Sequence, residues 1–396
     1  VYTTSVPGGA FRGFGGPQGC FVAETQMNKL ARALDLDPME LRRRNVVHDG
    51  DEGITGRVLP DGVSIAEVVE ACSHHAALDR PLAAVEPFSP FASLPPAPGS
   101  LRRGRGVAIG FKNVGFSFGF PERCEAEVVL HGDAGDDDPV AAELFHAAAE
   151  VGQGSHAALL QMTAEAAGVP LDAVTGHFSD TSSSGDSGSV SASRMTFMAG
   201  NAILGAVETA RKRWNDGDRP AAGHFRFVPP PTEALDPDTG EGTANFCYGY
   251  MAQVAEISID VDTGHLRVDR VVSTHDVGRA VNPSLVRGQV EGAVVQAHGY
   301  VTSEDLRLDD AMIANPRLSG YLIPGIGDVP AEVDSVILEL GDPLGPFGAR
   351  GMAEMPFLPY APAVIAAVHD ATGVWFDTFP LTPSRLLAGL RAAGGC

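Results

Sequence analysis

The spacing of apolar and polar positions divides this 396-residue chain into helical and extended stretches. A helical pattern follows a glycine-dense loop at residues 8–19 and runs to Leu34. A second helix is predicted from Asp37, where Pro38 takes the first helical position and Glu40 stands three after the cap, the order of a capping box. Apolar residues three and four apart predict helices at 156–167, 193–214, 283–299 and 361–371, and strand-like runs fall at 125–130, 254–260, 266–273 and 335–340. Their alternation predicts a mixed α/β fold; strand order is not written in such a pattern. Residues 82–105, crowded with Pro, Ala, Ser and Gly, read as a linker between an N-terminal piece (1–81) and a longer second domain (106–396). Residues 219–243 are polar, and Pro229, Pro230 and Pro231 exclude helix and central strand, so a surface excursion is expected there.

Composition narrows the function classes. With 44% hydrophobic and 20% charged residues the chain is that of an ordinary folded protein, and its length suits two or three domains. It carries 28 Lys and Arg against 50 Asp and Glu, a net charge of −22, which repels nucleic-acid phosphates and anionic lipid. No nucleic-acid partner is expected. Cysteines at 20, 72, 124, 247 and 396 are odd in number and form no Cys-x-x-Cys pair, so a disulfide framework, a zinc ribbon and a chain-borne iron–sulfur cluster are not indicated. A reducing, cytoplasmic compartment is the expectation. No apolar run approaches the roughly 18 residues that span a bilayer. The first residue is Val1 rather than Met, so the sequence reads as processed, truncated or renumbered.

Four helices are entered from loops of Gly, Ser or Asn: residues 8–19, 152–155, 182–193 and 282–283. Helix N-termini carry about half a positive charge and unpaired donors, so such loops suit phosphates or an anionic cofactor, which an acidic protein must hold by backbone. Any one of them alone reads as a tight turn or an N-cap. The first does not follow a strand, so it is no Rossmann fingerprint, and a Walker pattern is absent. Arg12 lies between Phe11 and Phe14 in that loop, where glycines leave one guanidinium and two rings facing one space. Phe116, Phe118 and Phe120 form a second cluster whose period of two favours a half-buried strand. Glu354 stands in an apolar, glycine-containing loop before a helix. Desolvation by Met352, Met355 and Phe357 would raise its pKa and suit it to be a general base, although a lone Glu there is usually a cap. His74 and His75 have no partner at ligand spacing and are expected at the surface.

Taken in order, these loops resemble a known family. Ala10-Phe11-Arg12-Gly13-Phe14-Gly15-Gly16-Pro17-Gln18, Glu150-Val151-Gly152-Gln153-Gly154 and Ser191-Ala192-Ser193 are similar to the molybdenum hydroxylases, specifically the molybdopterin-binding large subunit of the xanthine dehydrogenase and aldehyde oxidase group. The likeness continues through Asp276-Val277-Gly278, Asn282-Pro283, Gln289-Val290-Glu291-Gly292, Tyr321-Leu322-Ile323-Pro324 and Gly351-Met352-Ala353-Glu354. It spans the chain in the family's order but corresponds to the C-terminal half of the large subunit. The resemblance implies that fold, with the end of a first molybdopterin-binding domain at 1–81 and a second at 106–396.

It also implies a molybdenum–molybdopterin cofactor in the cytosine dinucleotide form, held through Phe11, Arg12, Gly13, Gly152, Gln153, Gly154, Ser191, Ala192 and Ser193, with no metal ligand from a side chain. Arg12, Phe14 and Phe118 would line the substrate pocket, the rings enclosing a flat molecule, and Glu354 would be the catalytic base. The implied reaction is hydroxylation by water of an electron-poor C–H carbon in a flat N-heterocycle, purine or nicotinate-like. An aldehyde oxidoreductase subunit or a non-catalytic scaffold are the alternatives. Implied partners are a chain supplying the N-terminal half, an iron–sulfur subunit and an FAD subunit. Ala353 and Met355 replace the family's usual Gly and frequent Pro, and a positive φ at Ala353 would cost on the order of 1 kcal/mol.

Overall fold

In the computed structural model, which describes residues 8–83, 96–97 and 99–394, helix α1 (Gly16–Ala33) starts from a left-handed Gly15 with Pro17 in its first turn. Asp37 caps α2 (Pro38–Arg43) by accepting from the N–H groups of Met39 and Glu40, both at 2.9 Å. Only half of the capping box forms, because the Glu40 carboxylate turns to Arg44 instead. The chain continues through α3 (Ile65–His75), β1 (Leu101–Asn113), β2 (Cys124–His131), β3 (Ala141–His146), α4 (Ser155–Ala167) and β4 (Val174–Phe178). Then come α5 (Met195–Asn215), β5 (Ala221–Phe227), β6 (Tyr248–Asp260), β7 (His265–Asp276) and α6 (Pro283–Thr302). A short hairpin of β8 (Leu308–Asp309) and β9 (Met312–Ile313), then β10 (Glu332–Leu338), α7 (Tyr360–Thr372) and α8 (Pro383–Ala392), complete it.

The mixed α/β class expected from the sequence is the class observed. One sheet has the order β1-β6-β7-β10, antiparallel except for the parallel β7–β10 pair, and a second has the order β4-β3-β2-β5. The first sheet is covered on both faces: Met251, Ile257 and Val271 pack with Val290, Val294, Val364 and Leu386 of α6, α7 and α8, while Val254 and Val272 pack with Met39, Val68 and Cys72 of α2 and α3. Covered on both faces, β6 is buried from Gly249 to its end, its polar Gln253, Glu256, Ser258 and Asp260 included. In the second sheet Leu130 and Leu144 meet Leu159, Phe197 and Ile203 of α4 and α5.

Three expectations fail for identifiable reasons. Leu101 to Arg105, read as the end of the linker, belong to β1; their glycine is there for close packing, since a Cβ at Gly104 would lie 2.1 Å from the Ala367 carbonyl of α7. The excursion at 219–243 contains β5, and the part after Phe227 is irregular. Phe116, Phe118 and Phe120 are not strand: Gly115 and Gly119 take positive φ on either side, and Phe118 itself has φ 59°. His74 and His75 are exposed at the end of α3. Among the described residues no helix is long and apolar enough to cross a membrane.

Candidate active site

The four helix-entry loops converge. With the turn after β1 and the loop before α7 they line one cleft of about 1050 Å³, drawing on residues 10–16, 112–120, 153–158, 190–196, 277–289 and 350–354. Phe11, Arg12, Gly13, Phe14, Phe118, Gln153, Gly154, Ser191, Ala192, Ser193 and Glu354 are all on its wall; Gly152, expected with them, is not.

Glu354 is tethered from several sides. Gly13 N–H donates to its Oε1 at 3.1 Å, Ser193 Oγ donates to its Oε2 at 3.3 Å, and the Glu354 N–H donates to Ser193 Oγ at 3.1 Å. The Lys112 ammonium lies 3.0 Å from Oε2, with both side chains about one-tenth exposed. The apolar setting anticipated from Met352, Met355 and Phe357 is therefore incomplete, because a buried cation faces the carboxylate. Lys112 went unrecognised in the sequence. Its signal was modest: it is one of three lysines in the chain, with Lys29 and Lys212, and it ends an apolar strand.

The backbone around Glu354 accounts for the departure at 353. Ala353 does not adopt positive φ, so the anticipated cost does not arise. The position that demands glycine is 351, where a Cβ would stand 1.5 Å from the Ser193 carbonyl oxygen. Arg350 anchors this loop from below: 3% exposed, it donates to the carbonyls of Tyr248 and Gly62 and lies 3.5 Å from both Asp276 and Asp342.

Arg12 divides its guanidinium between the same loop and α6. Nε donates to the Ala353 carbonyl at 2.5 Å, Nη2 to the Gln289 carbonyl and side chain, and Nη1 to Gln296 at 3.1 Å. Burial pushes its pKa down to about 10 against the pull of Glu354, so it stays charged at neutral pH. Phe11 rests edge-on against Phe357 at 5.5 Å. Phe14 and Phe118 differ from it in backbone: both take positive φ, at 48° and 59°, and both, like Phe11, are more than half exposed and line the cleft. Non-glycine residues held this way cost roughly 1–3 kcal/mol each and persist where the surrounding structure dictates them.

The four helix starts are not equivalent. At α4 the Glu150 carboxylate accepts from the N–H groups of Gly152, Gly154 and His156, and Gln153 bonds back to Val151, Ala149 and Ser155. Burial would push Glu150 upward, but the Gly154, His156 and Gly152 donors together hold it below its usual range. At α6 Asn282 caps Leu285 in the ordinary way. By contrast α1 and α5 have no side-chain cap. The α5 entry is fixed by buried Arg194, which pairs with Glu122 at 2.5 Å and donates to the carbonyls of Ser187, Ser189 and Arg123. Ala192 and Ser193 there adopt φ of 51° and 53°. Two bare helix N-termini thus border the cleft, a donor set suited to an anionic pterin with phosphates. Among the described residues no three His, Cys, Asp or Glu side chains are grouped to hold a metal.

Comparison with known proteins identifies relatives of this chain and of its fold. Family models described as molybdopterin cofactor-binding domains match residues 92–219 and 214–330, and residues 1–46. The chain is 30% identical over its whole length to a probable xanthine dehydrogenase subunit of Bacillus subtilis, covering 54% of it. It is 28% identical to the probable hypoxanthine oxidase XdhD of Escherichia coli, with 98% of this chain and 43% of that one aligned. The aldehyde oxidoreductase structure from Desulfovibrio gigas superposes with a TM-score of 0.83 at 28% identity, over 97% of this chain and 42% of that one. The chain therefore spans about half the length of the relatives it matches.

Proposed function

Since the chain belongs to the molybdopterin-binding large-subunit family of xanthine dehydrogenase and aldehyde oxidoreductase type, as its C-terminal region, we propose that it is the base-bearing half of a molybdenum hydroxylase that acts on flat N-heterocycles. The net reaction is R–H + H₂O → R–OH + 2 e⁻ + 2 H⁺. The observation that carries the reading is the Glu354 carboxylate, held at the wall of a cleft that two uncapped helix N-termini and two exposed rings also face.

The residues fit the cofactor. The N-termini of α1 and α5, with Ser191, Ala192 and Ser193, would hold the anionic pterin, in its cytosine dinucleotide form; Gln153 and Gly154 would border it. When bound, the molybdenum cofactor supplies the two-electron oxidation, and the rest falls to side chains. Glu354 accepts the proton released from the water-derived oxygen at its carboxylate, a role for which a fixed position counts before pKa. Arg12 orients it through the Ala353 carbonyl. Phe14 and Phe118 stack on a planar ring and hold its reactive carbon toward Glu354, and electrostatic complementarity comes from Lys112 and Arg12. The other half of the large subunit, an iron–sulfur subunit and an FAD subunit would come from partner chains.

The test is a substrate panel of purines, nicotinate-like rings and short aldehydes with an artificial electron acceptor, run on the complex with its partner chains, alongside metal and nucleotide analysis. Preference for a heterocycle, with molybdenum and released cytidine nucleotide, is expected. Preference for short aldehydes makes this an aldehyde oxidoreductase subunit, and absence of molybdenum makes it a scaffold.

A further inference from the structure

Lys112 and Asn113 end the edge strand β1 between two features that are far apart in sequence, the Glu354 carboxylate and the loop at 115–120 that presents Phe118. Lys112 Nζ is 3.0 Å from Glu354 Oε2 and donates to Asn113 Oδ1 at 2.6 Å. Asn113 Nδ2 donates in turn to the Gly115 carbonyl at 2.7 Å and to Ser117 Oγ at 2.9 Å. Ser117 Oγ donates to Asn245 Oδ1, and Asn245 Nδ2 donates to Tyr248 Oη at 2.8 Å. The chain of contacts runs without a break from the carboxylate to the ring-bearing loop. That loop has no strand pairing of its own; its remaining tethers to the rest of the protein are Gly115 N–H to the Ala192 carbonyl, Phe116 N–H to Glu122, Phe118 N–H to the Ala244 carbonyl and Gly119 N–H to Thr232. The Lys112 ammonium is nine-tenths buried and Asn113 half-buried, so water competes weakly for these bonds.

We propose that Lys112, Asn113 and Ser117 are positioning residues that couple the Glu354 carboxylate to the Phe118 loop, so that substrate planarity and the placement of the base are set together. The proposal deepens the hydroxylase reading and rests on it for its kinetic consequence, but the coupling itself is a property of this chain. A ring that shifts Phe118 moves Ser117, and through Asn113 and Lys112 it moves the carboxylate. Polar groups joined in this way transmit displacement because each bond tolerates only a few tenths of an ångström before it weakens.

The experiment uses the purified complex with Asn113→Ala and, separately, Ser117→Ala, which removes no atom that touches Glu354. Carbodiimide labelling of Glu354 is read by peptide mass spectrometry, with Glu24, buried against Arg42 at 2.7 Å, as internal control. Labelling of Glu354 is expected to rise about two- to tenfold in both variants, the range one hydrogen bond carries, while Glu24 is unchanged. The ratio of kcat/KM for a flat heterocycle to that for a short aldehyde is expected to fall by a similar factor in Ser117→Ala, mostly through KM. Unchanged Glu354 labelling in both variants, or an equal rise at Glu24, overturns the coupling. If the wild-type complex turns over nothing in the panel while Glu354 labelling still responds, the hydroxylase reading fails and the coupling stands.

Discussion

Gly351→Ala tests whether the loop carrying Glu354 is held where the structure has it. The new Cβ would lie 1.5 Å from the Ser193 carbonyl oxygen, whereas real Cβ atoms stay at 3.0 Å or more, so one backbone must yield by about 1.5 Å. Both backbones belong to the site. Ser193 Oγ exchanges two hydrogen bonds with Glu354, at 3.1 and 3.3 Å, and neither survives a shift of that size. Losing one charge-assisted and one neutral bond costs about 2–4 kcal/mol, and a catalytic group displaced by about 1 Å loses on the order of 10² in rate. The assay is turnover of the complex with an artificial acceptor, together with its melting temperature. Ala353→Gly is the counterpart: Ala353 is not at positive φ, so this change costs only about 0.4–1 kcal/mol of chain entropy and leaves turnover within a few-fold. A Gly351→Ala enzyme with wild-type turnover, or an Ala353→Gly enzyme as damaged as it, would refute the reasoning.

Three further outcomes are expected. Glu354→Gln should lower turnover by about 10²–10⁴ while molybdenum content stays near that of the wild type, because amide and carboxylate match in size but only one accepts the proton; near-normal turnover removes Glu354 from the chemistry. Phe118→Ala should reduce the preference for a flat ring over a short aldehyde by about two- to tenfold, the worth of roughly 0.5–1.5 kcal/mol of stacking, and an unchanged ratio means there is no aromatic slot. His146, His275 and His298 are pushed down by burial to about 4, 3 and 4, so the unfolded chain takes up protons first and the stability they contribute, present above pH 6.5, is lost as pH falls toward 4 and below. His298→Gln should flatten part of that loss in thermal melts between pH 6.5 and 4; an identical profile counts against it.

The helices were legible because their starts carry local chemistry. Asp37-Pro38 and Asn282-Pro283 set two of them to the residue, and the apolar spacing of α4, α5 and α7 survives in their buried faces. Glycine was the weak point, since one residue type serves unlike ends. Gly104 reads as a breaker, yet it lies inside a strand because a helix passes close above it; Gly115 and Gly119 flank a period-two run of rings and bend it out of any sheet. The motif around Glu354 was readable, and the side chains that hold it were only partly so. Lys112 is 242 positions away from it in the chain, and no spacing rule joins residues that meet only when β1 and the loop before α7 are folded.

An acidic chain of net charge −22 that takes up an anion must supply the counter-field from its backbone, and here it does so selectively. Two of the four helix entries are satisfied internally, by Glu150 at α4 and by Asn282 at α6, which fixes their loops and withdraws their donors from the cleft. The two left uncapped, at α1 and α5, are the two that also touch the base, through Gly13 N–H and Ser193 Oγ. A ligand drawing on those donors therefore bears directly on the carboxylate, because the backbone that receives the anion is the backbone that holds Glu354. Gly351 makes room for that same Ser193 backbone, and for that reason it tolerates no side chain.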